Sequence, residues 1–163
     1  MIAITARTAS TPLEAVEHAV VLVEGGRIVA AGSRETMEIP AGAHLIELGE
    51  SILAPGFIDI HIHGGAGHDV MSVSREGLAR FECSLTNCGV TSYCPTTVTA
   101  PLEATYKALA WLAEAGGLPR DGSRARPVGV HLEGPFISHA KRGVHPPQNL
   151  LDPSPGLFDK FWQ

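Results

Sequence analysis

From Pro55 onward the apolar residues change period repeatedly, from two to between three and four and back again, and this rhythm constrains the chain more than any other feature. Phe57 to His63 (FIDIHIH) follows the turn Pro55-Gly56 and alternates strictly. Ile58, Ile60 and Ile62 face one way, and Asp59, His61 and His63 the other. Residues 74 to 88 read as a helix with Leu78, Phe81, Leu85 and Cys88 on one face and Gly89 as its closing glycine. Val90 to Thr96 reads as a second strand. Residues 101 to 115 read as a second helix, with Pro101 in its first turn, Leu102, Tyr106, Leu109 and Ala113 on one face, and Gly116-Gly117 at its end. Pro127 to Glu133 reads as a third strand, Val128, Val130 and Leu132 opposing Gly129, His131 and Glu133. Strands alternating with helices of this length imply right-handed βαβ units and a parallel sheet, an α/β architecture. A long loop rich in His, Pro and Gly follows Pro135. A last helix is predicted to start near Ser154 to Leu157, with two exposed aromatics and a pattern expected to run on past Gln163.

Residues 1 to about 53 have a different texture. Ala19 to Ala31 (AVVLVEGGRIVAA) carries the signal of a hairpin around Gly25-Gly26, and Leu45 to Leu53 reads as a further short strand. The hydrophobic share of 44% with 18% charged residues suits a chain with a packed core and excludes a disordered one. The net charge of −5 and the lack of any Lys/Arg-rich stretch disfavour nucleic acid or an anionic membrane surface as partner. No window approaches the ~18 apolar residues of a membrane span. MIAITARTAS lacks the marks of a signal peptide, and Cys83, Cys88 and Cys94 are odd in number and outside CxxC spacing. Reduced thiols and a cytoplasmic location are therefore expected.

His61 and His63 lie on one strand face, ~6.5–7 Å apart along the strand, close enough for both nitrogens to reach one metal ion. They end an apolar strand and lead into Gly64-Gly65-Ala66-Gly67, and the C-terminal ends of parallel strands are where sites form. Glu133 ends the third strand with the same parity, just before Gly134-Pro135. A carboxylate there is a metal ligand, a general base or a solvated rim residue. With the two imidazoles it makes a reasonable ligand set for Zn²⁺ or another divalent ion. His131 reads as a hydrogen-bonded interior histidine. Asp59 could orient a ligand, and His68 and Asp69 are possible supports or merely solvated loop. His145 stands in a loop (KRGVHP) that must lie over the mouth of the site. The glycine loop lacks the Gly-Lys-Ser/Thr of a P-loop, the lack of a GxGxxG opening a helix disfavours a dinucleotide site, and nothing resembles a GxSxG nucleophile elbow.

Ala54-Pro55-Gly56-Phe57-Ile58-Asp59-Ile60-His61-Ile62-His63-Gly64 resembles the first barrel strand of the amidohydrolase superfamily. The segments GVTSYCPT (89–96), VHLEGPF (130–136) and KRGVH (141–145) resemble the N-acetylglucosamine-6-phosphate deacetylase family, the last two being the specific part. The resemblance implies a partial (β/α)8 TIM barrel, its first three strands in residues 54–163, preceded by half of a small β-sandwich in residues 1–53. It implies Glu133 as a metal ligand, with His61 and His63 completing or adding a metal site, and Val144 and His145 as sugar contacts, partly through backbone. It implies a divalent cofactor, zinc first, with iron, manganese or cobalt as alternatives, and a small amino-sugar phosphate as substrate. A homodimer is expected for the full-length enzyme. Two further histidine ligands, the proton-shuttling aspartate and the phosphate contacts are expected on later strands, so the isolated 163 residues are expected to be inactive. A dihydroorotase-like cyclic-amide hydrolase and a non-catalytic metal-binding chain are the competing readings.

Overall fold

The computed structural model describes residues 1–120 and 122–162; the pattern expected past Gln163 lies outside them. The chain divides into two compact units, Met1–Pro55 and Gly56–Gln163.

The first unit is a sheet of five strands: β1 (Ile2–Ser10), β2 (Ala15–Glu24), β3 (Arg27–Ser33), β4 (His44–Glu47) and β5 (Ile52–Leu53). β2 and β3 form the expected hairpin, turning at Gly25 and Gly26 with φ of 56° and 75°. Two successive positive φ values match the right-handed twist of the flanking strands, and glycine accepts them without strain. β1 pairs antiparallel with β2 and parallel with both β4 and β5. The single strand expected over Leu45–Leu53 is thus two short ones. Gly49, at φ 56°, turns the chain between them, and its carbonyl accepts from Arg7 N at 2.9 Å. β1 was not singled out by periodicity, because Thr5, Ala6, Thr8 and Ala9 are small and buried on both faces.

The second unit opens with β6 (Phe57–Ile62), a small hairpin of β7 (Gly64–Gly65) and β8 (His68–Asp69), and helix α1 (Arg75–Asn87). Then follow β9 (Val90–Thr97), α2 (Leu102–Gly116), β10 (Arg126–Pro127), β11 (His131–Leu132) and α3 (Pro155–Phe161). β6 pairs parallel with one side of β9, and β10 and β11 pair parallel with the other. This is the βαβαβ order expected from the rhythm.

The third strand is interrupted, and β9 supplies the reason. The Tyr93 and Thr97 carbonyls accept from Val128 N and Glu133 N at 2.9 and 3.2 Å, so alternate residues of β9 face the third strand. Pro95 has the same parity and no N–H to donate. The ladder lapses there, between β10 and β11.

Ser74 caps α1, its hydroxyl accepting from Gly77 N at 3.1 Å, and Leu78, Phe81 and Leu85 enter the core. The buried face of α2 differs from the expected one. Thr105, Ala108, Leu112 and Ala115 face inward, while Leu102 and Ala113 are exposed and Pro101 precedes the first turn. In a helix apolar on nearly every side, hydrophobicity cannot rank the faces, and the small residues permit the closer approach to the sheet. Tyr106, on the shoulder, meets the ring of Phe161 from α3 at 5.4 Å. Ser154 caps α3, as its sequence suggests, and Phe158 and Trp162 remain exposed.

A charged network lies in this core. Glu82 of α1 is fully buried and accepts from Arg120 Nη2 at 2.7 Å, Arg120 Nε at 3.2 Å and the Tyr93 hydroxyl at 3.0 Å, with Arg124 Nη1 at 3.6 Å. Burial, reinforced by the charge of Glu82, holds the Tyr93 phenol well above its ordinary pKa. A phenol kept neutral by the fold contributes stability that is fully present below the unfolded value of about 10 and is lost as pH climbs beyond it. In a Tyr106→Phe background, the tyrosinate absorbance of Tyr93 should therefore rise only together with loss of the native circular dichroism. Ionisation at the ordinary pH with native dichroism intact would contradict this.

Candidate metal centre

β6 delivers His61 and His63 to its C-terminal end with their rings edge to face, centroids 4.9 Å apart. The segment after β11 brings Glu133 to the same place. Glu133 Oε2 stands 3.0 Å from His63 Nε2 and 3.7 Å from His61 Nε2, and the two Nε2 atoms are 3.2 Å apart. Donors bound to one zinc at 2.0–2.1 Å in a tetrahedron stand ~3.3–3.4 Å apart. The three observed separations bracket that value. Among the described residues, these three form a group able to hold one metal ion.

Proton bookkeeping points the same way. His63 Nδ1 lies 2.9 Å from the Thr96 carbonyl, which can only accept, so Nδ1 carries the ring proton and Nε2 presents its lone pair. That lone pair faces a carboxylate oxygen at 3.0 Å. Two acceptors this close require a cation between them, a proton or a metal. The side chains of His61, His63 and Glu133 are 45%, 42% and 31% exposed, so small molecules can reach them.

The other sequence candidates are placed differently. Asp59 does not reach a ring; its Oδ1 accepts from the backbone N of His61 at 3.1 Å and braces the strand end. Asp69 Oδ1 accepts from Met71 N at 2.8 Å, a turn bond away from the cluster, and His68 packs beside Gly77. His131 is exposed rather than interior, its ring edge-on to His61 at a centroid distance of 5.0 Å. Val144 is 92% exposed, whereas His145 is only 6% exposed and turned inward. Its Nε2 lies 3.4 Å from Glu133 Oε1, and its Nδ1 lies 2.8 Å from Thr99 Oγ1. Thr96 and Thr99 were missed by the sequence reading. Their position at the C-terminal end of a parallel strand, where sites form, is the signal that could have found them.

No protein-family model matches the chain. A curated relative, the N-acetylglucosamine-6-phosphate deacetylase of Bos taurus, is 43% identical over 131 residues, covering 78% of this chain and 31% of the relative. The chain belongs to the N-acetylglucosamine-6-phosphate deacetylase family. A second relative, the N-acetylgalactosamine-6-phosphate deacetylase of Escherichia coli O157:H7, is 38% identical over 109 residues, covering 67% of this chain and 28% of the relative. Among solved structures, a mutant of the Mycobacterium smegmatis N-acetyl-D-glucosamine-6-phosphate deacetylase in complex with N-acetyl-D-glucosamine-6-phosphate aligns with a TM-score of 0.82 and 31% identity. That alignment covers 98% of this chain and 39% of the other. The chain thus spans about a third of the length of the curated relatives it matches. No helix among the described residues is long and apolar enough to cross a membrane.

Proposed function

We propose that this chain forms part of a metal-dependent deacetylase that hydrolyses the N-acetyl amide of an amino-sugar 6-phosphate, N-acetylglucosamine 6-phosphate first. The observation that carries this reading is the convergence of Glu133 Oε2 on His61 Nε2 and His63 Nε2. The parallel β6, β9 and β10/β11 order is read as the first three strands of a (β/α)8 barrel, and the five-stranded sheet as half of a small sandwich.

The reaction joins a water oxygen to the acetyl carbon and breaks the carbon–nitrogen bond, with a proton passing to the departing amine. The products are acetate and the free amino-sugar phosphate. His61, His63 and Glu133 would hold a divalent ion such as zinc, and its Lewis acidity would serve to polarise a carbonyl oxygen and acidify water. Glu133 gives that site its negative charge. The Thr96 carbonyl keeps the proton of His63 on Nδ1, so that Nε2 stays free to donate its lone pair. Val144 and His145, in the loop that follows Glu133, are read as the contacts for the sugar, partly through backbone.

The test uses the full protein that carries this chain. Acetate release is measured with N-acetylglucosamine 6-phosphate and with N-acetylgalactosamine 6-phosphate, beside dihydroorotate turnover. The expected result is acetate from the glucosamine compound, lost with a chelator and restored by Zn²⁺. Dihydroorotate turnover without acetate release would move the chain to the cyclic-amide hydrolases, and no turnover of any of them to a non-catalytic role.

A further inference from the structure

We infer that Thr96 is a positioning residue for the candidate metal centre: its hydroxyl locks the end of β6, at a one-residue slip in the pairing of β6 with β9, so that His63 presents Nε2 to His61 and Glu133. The inference rests on the metal-centre reading above and deepens it.

The slip lies directly before the site. Between the paired positions Asp59–Tyr93 and Ile62–Pro95, β6 advances three residues and β9 only two. β6 therefore carries one extra residue there. Such a bulge bends its strand, re-aims the side chains around it and disturbs the ladder, and it needs partners for the backbone groups it displaces. Two successive amides of this stretch donate to side chains: His61 N to Asp59 Oδ1 at 3.1 Å, and Ile62 N to Thr96 Oγ1 at 3.0 Å.

Thr96 does more than accept one bond. Its hydroxyl passes its own proton to the Cys94 carbonyl at 3.1 Å, so it bridges the two strands with donor and acceptor both used. Its carbonyl lies 2.9 Å from His63 Nδ1. One residue thus holds the amide just before His63 and the ring of His63 itself. On its other side Thr96 pairs with His131 of β11, and the carbonyl of the next residue, Thr97, accepts from Glu133 N at 3.2 Å. Thr96 therefore stands between the two segments that supply the ligands. It is 0% exposed, which shields these bonds from solvent, and its branched Cβ restricts the directions the hydroxyl can take. Fixing a ligating histidine through such outer partners is a general way of setting metal affinity.

A threonine that merely packed inside the strand would have different consequences. Its loss would change stability and leave the metal alone, whether or not His63 is present. A positioning role changes metal affinity, and only through His63.

The test titrates Zn²⁺ and Co²⁺ into the full protein that carries this chain, Co²⁺ being followed by its visible absorbance, with native dichroism checked in each variant. Thr96→Val keeps the shape and loses the hydroxyl, and should weaken binding of both ions by about 10–100-fold, the ordinary effect of losing an outer partner. Thr96→Ser keeps the hydroxyl and should keep the parent affinity. In a His63→Asn background Thr96→Val should add nothing. A folded Thr96→Val protein that binds metal like the parent, or a loss that persists undiminished without His63, would overturn the inference and leave the centre standing. Thr96→Ser binding as weakly as Thr96→Val would assign the effect to packing and overturn it too. If Thr96→Val does not fold, the parent decides. Long-range ¹H–¹⁵N correlation on the metal-free protein labelled with ¹⁵N-histidine should show His63 protonated at Nδ1 and bare at Nε2, and the opposite tautomer would overturn the inference. A parent protein that binds neither ion would remove the centre itself, and this inference with it.

Discussion

Replacing Glu133 by Gln should lower turnover in the full protein by at least about a hundredfold and release bound metal, while the native dichroism stays unchanged. Outer partners of a metal ligand cost about 10–100-fold when removed, so the ligand itself sets at least the upper end of that range. The amide fills the same volume but changes two things at once. It removes the negative charge that faces His61 Nε2 and His63 Nε2 at 3.7 and 3.0 Å. It also puts an NH₂ group where an oxygen stood, and a carboxamide is a poorer ligand for a divalent ion than a carboxylate. Metal content by atomic emission and kcat on the acetylated sugar phosphate are the measurements. Near-parent values for both would make Glu133 a rim residue, one of the alternatives its sequence position leaves open. Folding should survive, because the Glu133 carboxylate is part-exposed and its backbone N–H bonds to the Thr97 carbonyl whatever the side chain.

The parts of the centre that sequence reveals are those governed by parity along one strand. FIDIHIH alternates, so His61 and His63 had to share a face, and Glu133 followed from the same alternation in the third strand even though Pro95 interrupts its ladder. Side-chain direction survives the loss of one backbone bond. What sequence could not show is the role of the loop. His145 comes twelve residues after Glu133, and a loop there suggests a cover over the site. That its ring is buried with Nδ1 2.8 Å from the hydroxyl of Thr99, 46 residues away, is a contact no local pattern announces. The buried network of Glu82 was legible and was overlooked. Leu78, Phe81, Glu82 and Leu85 follow the i, i+3, i+4, i+7 spacing of a buried face, so a carboxylate at the third of these positions announces a buried partner. The partners themselves, Arg120 and Arg124, sit in the connection after α2, where no periodicity marks them. For α2 the failure has the opposite cause. Too many apolar residues left side-chain size, not hydrophobicity, to choose the face.

Arg120→Met should destabilise the second unit by about 3–5 kcal/mol, the usual cost of stripping one partner from a buried ion pair. The Arg120 and Glu82 side chains are 9% and 1% exposed. Methionine retains much of the apolar stem of arginine, so the loss falls mainly on the charge. It leaves the Glu82 carboxylate in the core with the Tyr93 hydroxyl and with Arg124, whose guanidinium is at 3.6 Å and whose side chain is 23% exposed. The arginine also donates to the carbonyls of Ala115 and Leu118 at 3.1 and 2.8 Å, closing the C-terminal end of α2, and those bonds go too. Denaturant unfolding followed by tryptophan fluorescence reports the effect directly, because Trp111 packs against the same core. A loss below about 1 kcal/mol, the ordinary worth of an exposed pair, would show that the network is solvated. The distinguishing variant removes the charges together. Glu82→Met with Arg120→Met and Tyr93→Phe leaves neither a buried anion nor an orphaned hydroxyl, and buried ion pairs replaced by apolar groups of similar volume are often neutral or better. That triple variant should be more stable than Arg120→Met alone. If it is less stable, the network contributes by its own attraction, and the penalty of Arg120→Met is not that of an abandoned charge.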